Sequence, residues 1–381
     1  SASAQEKSVK ATYDVNGNAE KEQYRSHVTL ESVSDNGSVI NAYGAVNLNL
    51  TGVRMNKTAG RGYALLVSGS SRVTVFQCDI NLHTEYSCGI AAAGSGTFVR
   101  VDDGKTTISK EQSSGFYCTD SAMISIDKYD ISSFAKMSPV LSTDKMGSIE
   151  AVGMKGGTKG NAAPLFSSKG SIHVSESRME AASAPIAHIR ENGAITLDNC
   201  ELTQGASCGF YVSDGTAAGG SLTMNGCKLK LQDGPLLLVD EGTLTAALTD
   251  NTISFTKDGL MSIRGGVADI TASRQKLKGD IVTDSVCAVS LNLGKGASYD
   301  GAINVGNNMD ATVTVNLEKG SVWFVSDNSH ISAISFQQGV ENGVKQIKGK
   351  ANVYYDAKNP ANSYLEGRQY ELGGQGMLIP E

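Results

Sequence analysis

The sequence is poor in the residues that interrupt or thicken a β-structure: of 381 residues, six are proline and one is tryptophan, and only 6% are aromatic. Scarce proline leaves backbone ladders unbroken, since proline cannot donate to them. Scarce aromatics suit a narrow core filled by aliphatic side chains. No run of 18 apolar residues occurs, so no helix is expected to span a membrane. Basic residues are outnumbered, 33 to 39, for a net charge of −6. A nucleic-acid binder would show a basic face, and that class is excluded. The seven cysteines lack any CxxC spacing, and their odd number rules out a complete set of intramolecular disulfides. The five histidines, His27, His83, His173, His188 and His330, form neither HxH nor HExxH, so no zinc site is expected. Apolar stripes of period 3.6 are also missing, which excludes a helical solenoid.

What the chain does contain is a repeat of about 25 residues. Each copy opens on two apolar residues separated by one: Leu48 and Leu50, Val73 and Val75, Val99 and Val101, Ile124 and Ile126, Ile149 and Ala151, Ile172 and Val174, Ile195 and Leu197, Leu222 and Met224, Ala246 and Leu248. Two turn-type residues follow, then one further inward residue. A second motif, glycine or proline before apolar residues, recurs at Gly62, Gly89, Gly115, Pro139, Pro164, Pro185, Gly209, Pro235 and Gly259. Short period-2 strands broken by Gly, Asn, Asp and Ser cannot bury a face alone. Stacked coils solve this, because each strand pairs in parallel with its counterpart one coil on. The expected fold is all-β: a single-domain right-handed parallel β-helix with three short strands per coil.

Coils of this size resemble the right-handed parallel β-helix of the pectate-lyase-like superfamily over roughly residues 40 to 340. The resemblance implies a fold and an exported setting, not an activity. The expected organisation is an N-terminal cap and entry strand over 1–40, with 1–26 polar and charged. The β-helix follows over 41–340, and a C-terminal cap over 341–381, centred on the tail from Asn359. After Gly266 the repeat is expected to lengthen. Val289-Ser-Leu291 and Val313-Thr-Val315 open two copies of one phrase, and with Trp323 and the segment Ser326 to Ile331 they are similar to terminal coils of bacterial autotransporter and adhesin-type passengers. The first residues, Ser-Ala-Ser-Ala-Gln without Met, are read as the start of a mature or trimmed exported segment.

Each candidate for chemistry has a repeat-based explanation. Gly205, Ser207 and Gly209 match the GxSxG elbow by letters, but that motif needs a strand-to-helix turn with a His and an acid behind it. The phrase recurs at Ser87, Cys88 and Gly89, so it belongs to the repeat. Asp102 and Asp103 resemble the paired aspartates of polygalacturonases, which act as acid and base. The same positions hold Asp198 and Asn199, Asn225 and Gly226, Asp127 and Lys128, and Thr249 and Asp250, so a turn is expected. Cys78, Cys200 and Cys227 share the inward position held elsewhere by Val53, Tyr129 and Ser177. They are expected as reduced core thiols, where a serine hydroxyl would lack a partner. A disulfide between Cys200 and Cys227 is the lesser alternative.

One outward position reads Arg54, Asp79, Lys105, Asp130, Lys155, Arg178, Glu201, Lys228 and Thr252 down the stack. The alternation predicts a chain of exposed ion pairs that holds register. A Ca²⁺-dependent lyase would instead cluster acidic residues. From sequence, therefore, no catalytic, cofactor-binding or metal residue is assigned. The expected function is an exported or cell-surface, monomeric, non-enzymatic, adhesin-like scaffold binding glycan or a host surface. The alternatives are a polysaccharide lyase or glycoside hydrolase, with its site on inserts at 102–112 or 130–145, and a structural spacer.

Overall fold

Alternation sets the local structure. Along the strand Asn47–Thr51 every second side chain is buried, and the outward ones are at least partly exposed. Arg54–Lys57 and Gly62–Val67 complete the coil. Each strand pairs in parallel with the equivalent strand of the next coil, Arg72–Phe76, Asp79–Leu82 and Ser87–Ala93. The computed structural model describes residues 7–9, 13–16 and 22–381, with the side chains of 7–9 and 22–25 left aside.

The chain forms two compact units rather than one, Ser1–His188 with Gly193–Ala206, and Ile189–Asn192 with Ser207–Glu381. Each is a parallel β-solenoid. Contacts in a solenoid run only between neighbouring coils, so its length need not form a single compact body. In the first unit the repeat starts stack in register: Leu48 on Val73, then Val99, Ile124, Ile149, Ile172 and Ile195. In the second, Leu222 lies on Ala246, then Ile270, Leu291, Val315 and Ile334. The late phrase pairs in register, Val289 on Val313. The coils do not lengthen after Gly266. Ile270 pairs with Leu291 and Val315 with Ile334, offsets of 21 and 19 residues.

Coil pairing also begins upstream of residue 41. Lys7–Val9 pairs with Val28–Leu30, Tyr13–Val15 with Ile40–Ala42, and Glu22–Ser26 with Asn47–Thr51. The remainder of the polar segment 1–26 lies outside the described residues. At the other end, Val353–Tyr355 pairs with Leu378–Pro380, and Tyr370–Glu371 turns back antiparallel on Met377–Leu378. The 3-10 turn Pro360–Leu365, capped by Asn359, lies against the strand Ala333–Phe336. Buried Asn362 accepts from Ile334 N at 3.1 Å and donates to Ser332 O at 2.7 Å, which satisfies an edge that would otherwise be open.

The corner between first and second strands explains the turn residues of the repeat. One residue per coil is left-handed there: Gly52, Gln77, Asp103, Lys128, Gly153, Glu176 and Asn199 in the first unit, and Gly226, Asp250, Arg274, Gly296 and Gly320 in the second. The next residue points inward and closes the corner. Cys78 and Cys200 donate Sγ–H to carbonyls of Phe76 and Asp198, at 3.5 and 3.4 Å. Ser177 donates to Ser175 O at 2.9 Å and accepts from Met154 N at 3.0 Å. A hydroxyl at this position therefore finds partners, contrary to the expectation that it would be buried unpaired. In the second unit Cys227 donates its thiol to Asn225 O at 3.5 Å, and in the following coils amides take over. Asn251 accepts from Cys227 N at 2.8 Å, and Gln275 accepts from both the backbone and the amide of Asn251, each at 2.9 Å.

Size is also traded between coils. Tyr129 is fully buried at this corner, with its hydroxyl 2.6 Å from Thr106 Oγ1 and its ring edge-on to Phe116. The coil beneath carries Gly104, where a Cβ would stand 2.8 Å from the Tyr129 ring. Glycine in the second motif has the same cause, since a Cβ on Gly115 would meet Ile131 Cδ1 at 2.3 Å.

The outward charges stack in the expected register within the first unit, from Arg54 through Asp79, Lys105, Asp130, Lys155 and Arg178 to Glu201. Three contacts close: Arg54–Asp79 at 3.6 Å, Lys105–Asp79 at 3.8 Å and Arg178–Glu201 at 3.2 Å. Among the described residues, Asp130 closes none. The continuous chain of ion pairs is thus broken at its middle, because long exposed side chains lose more entropy on ordering than a screened pair returns.

One charge lies inside. Lys57 is fully buried at a position held by Leu82 and Ile108 in the next two coils. Its ammonium donates to Ser34 O at 2.6 Å and Ser32 Oγ at 3.2 Å. Burial lowers its pKa from 10.5, opposed by the weaker attraction of Asp35.

Charge reversal Lys105→Glu should lower stability by about 1 kcal/mol at low salt and by less at high salt, read by denaturant melts at both ionic strengths. Lys57→Met should be more stable than wild type at neutral pH. A lysine whose folded pKa is lowered carries its full penalty below that pKa and sheds it as pH rises toward 10.5, so the gap between variant and wild type should narrow across that alkaline window. All seven cysteines are free and buried, and burial pushes the thiols of Cys78 and Cys118 up to about 11 and that of Cys208 to about 12. A thiol reagent at pH 8 should label none of them until the protein is unfolded.

Candidate functional site

Where the second strand turns into the third, side chains leave the wall instead of closing it. Asn36, Tyr86, Gln112 and Met137 occupy this turn in the first unit, and all four are left-handed, with φ between 53° and 58°. Such a backbone is unusual for bulky residues, and it points the side chain out of the coil. Tyr86 and Met137 are 46% and 47% exposed. They form one rim of a groove of about 690 Å³.

The opposite side is the third strand itself. Tyr63 pairs with Cys88, which pairs with Ser114; Leu66 pairs with Ala91, which pairs with Tyr117. Two half-exposed tyrosines therefore stand two coils apart, with small residues between them. Gly62, Ser87, Cys88, Ser113 and Ser114 make the floor. That floor is held by hydroxyls: Ser113 Oγ accepts from Ser87 N at 3.2 Å, and Ser138 Oγ accepts from Ser113 N at 3.0 Å. Burial raises the phenol pKa of Tyr63 and Tyr117, so both stay neutral hydrogen-bond donors at physiological pH. Cys88 is not a nucleophile here, because burial drives its thiol far above the ordinary cysteine value.

The rim is braced from below. Asp35 Oδ1 accepts from Arg61 N at 3.0 Å, and buried Lys57 holds the Ser34 carbonyl, which also accepts from Gly37 N. The Arg61 guanidinium lies 4.8 Å from the Tyr86 ring centroid. An apolar ring, neutral phenols, amides and one guanidinium around a shallow floor can bind a ligand that is flat on one face and rich in hydroxyls.

The residues considered from sequence fall elsewhere. Asp103 is a left-handed corner residue, and its carboxylate accepts from Gln77 Nε2 at 3.1 Å. Among the described residues no basic side chain lies within 4 Å of Asp102 or Asp103. Ser207 is exposed, and among the described residues its hydroxyl reaches only Cys208 Sγ, at 3.8 Å. The segments 102–112 and 130–145 are not long inserts, because strands run through them as far as Ile108 and Ser133 and again at Leu141–Thr143. Their turns do supply Gln112 and Met137 to the groove.

The histidines remain apart: His83 Nδ1 lies 3.0 Å from Ser109 Oγ, and His330 pairs with Glu381 at 3.2 Å. His173 is flanked by Glu150 at 3.6 Å and Asp198 at 2.6 Å. Ser175 Oγ is 3.4 Å from its Nε2, but Asp198 already occupies that nitrogen, so Ser175 is not activated. Among the described residues no group of three or more His, Cys, Asp or Glu side chains could hold a metal ion.

The groove was missed in the sequence because its tyrosines occupy different repeat positions. The available signal was that a chain with so few aromatics places Tyr63, Tyr86 and Tyr117 beside three successive copies of the second motif. No protein-family model and no curated protein matches this sequence.

Proposed function

We propose that this chain is an exported or cell-surface, non-enzymatic, adhesin-like scaffold that binds glycan through the groove of its first unit. The groove carries this reading: Tyr63, Tyr86 and Tyr117 surround a floor of small residues, in a chain that otherwise spends few aromatics. Aromatic rings stack on the apolar face of a pyranose, while phenols, Asn36 and Gln112 bond its hydroxyls. The site is built on stacked coils, which holds ring spacing without a lid or hinge.

Catalysis has no comparable support. Among the described residues the carboxylates considered for it sit in turns without a basic partner, and the His173 cluster leaves Ser175 unactivated. The protein is expected to release no unsaturated uronides from polygalacturonate, with or without Ca²⁺. It should retain on an oligosaccharide array at least one glycan class, and Tyr117→Ala or Tyr63→Ala should weaken that binding about tenfold or more without lowering the melting temperature appreciably. Retention of no glycan, or unchanged binding by both variants, would overturn the proposal.

A further inference from the structure

We infer that the groove is selective for an anionic sugar, one bearing a carboxylate or sulfate, with Arg61 as its charge partner. This rests on the glycan-binding reading above and goes on to specify the ligand. The chain as a whole is acidic, with a net charge of −6, yet no aspartate or glutamate lines the groove. Its lining is Asn36, Gln112, tyrosines, serines and small or apolar residues, with Arg61 as the charged member. Elsewhere on the first unit some exposed cations meet carboxylates, as Arg54 and Lys105 meet Asp79 and Arg178 meets Glu201, while others stack on rings, as Arg72 does on Phe98 and Lys159 on Phe134. Arg61 differs from the first group. Among the described residues its guanidinium has no carboxylate within 4 Å.

Two of the nearby acids are turned to other work. Asp35 takes the backbone N–H of Arg61 rather than its guanidinium, and Asp144 pairs with Lys169 at 3.4 Å. Stacking on Tyr86 holds the guanidinium plane at the rim while leaving its edge of N–H donors open. A planar fork of donors matches carboxylate and sulfate oxygens two at a time, and a guanidinium is weakly enough hydrated to be used this way. Pre-stacking also reduces the rotamer entropy lost on binding. The arrangement therefore places one anionic contact at the Tyr86 rim and ring contacts at Tyr63 and Tyr117.

The test measures binding of the full chain by calorimetry to three hexasaccharides at one salt concentration: an oligogalacturonate, a heparin-derived fragment and a neutral galactan. At least one anionic probe should bind about tenfold or more tightly than the neutral one, with the advantage falling as salt rises. Arg61→Gln should remove that advantage, bringing anionic affinity to that of the neutral probe, whereas Tyr117→Ala should weaken both classes and keep the ratio between them. The two acidic probes separate carboxylate from sulfate as the group recognised. Equal affinity for anionic and neutral probes, or an anionic preference that survives Arg61→Gln, would overturn the charge assignment while leaving glycan binding in place. Binding of no saccharide at all would overturn both.

Discussion

Parallel, in-register pairing of each strand with its counterpart one coil away is the constraint on which everything else in this protein depends. With strands about 4.8 Å apart, whatever stands at one repeat position must fit against the same position above and below it. Side chains are therefore selected as ladders. The inward aliphatic ladders at Leu48 and Leu222 supply the burial that no single coil could reach. The corner ladder supplies hydrogen bonds, through thiols and hydroxyls in the first unit and a thiol and amides in the second.

The same constraint explains the exceptions. Tyr129 can enter the core because Gly104 below it gives up its side chain, and Lys57 can be buried because the Ser34 carbonyl and Ser32 hydroxyl reach it. Outside the core the constraint is looser. Register brings Asp130 between Lys105 and Lys155, but nothing compels exposed side chains to close on one another. The backbone ladder positions charges; solvent and side-chain entropy decide whether they pair.

A solenoid wall is smooth by construction, so a concavity requires a departure from the ladder. Here the departure is a stretch of third strand where small residues separate Tyr63 from Tyr117, beside a turn whose left-handed residues are large. Rigid stacking then holds that groove open. Ring faces and hydrogen-bond donors converge there on one floor of small residues.

Period-2 strands, turn residues at constant offsets and nine aligned apolar pairs were enough to determine a parallel solenoid and its register, from Leu48 on Val73 to Val289 on Val313. A repeat restates the same pairing many times, so errors at single positions do not accumulate. The turn identity of Asp103 and the structural setting of Ser207 were legible for the same reason. Sequence alone could not show that Lys57 faces inward, that Asp130 stands unpaired, or that Ser177 closes its corner with a hydroxyl, since each depends on atoms reached across coils. The groove was hidden for a related reason. Tyr63, Tyr86 and Tyr117 hold unlike repeat positions, and only the three-dimensional offset of one coil against the next brings their rings around a common floor.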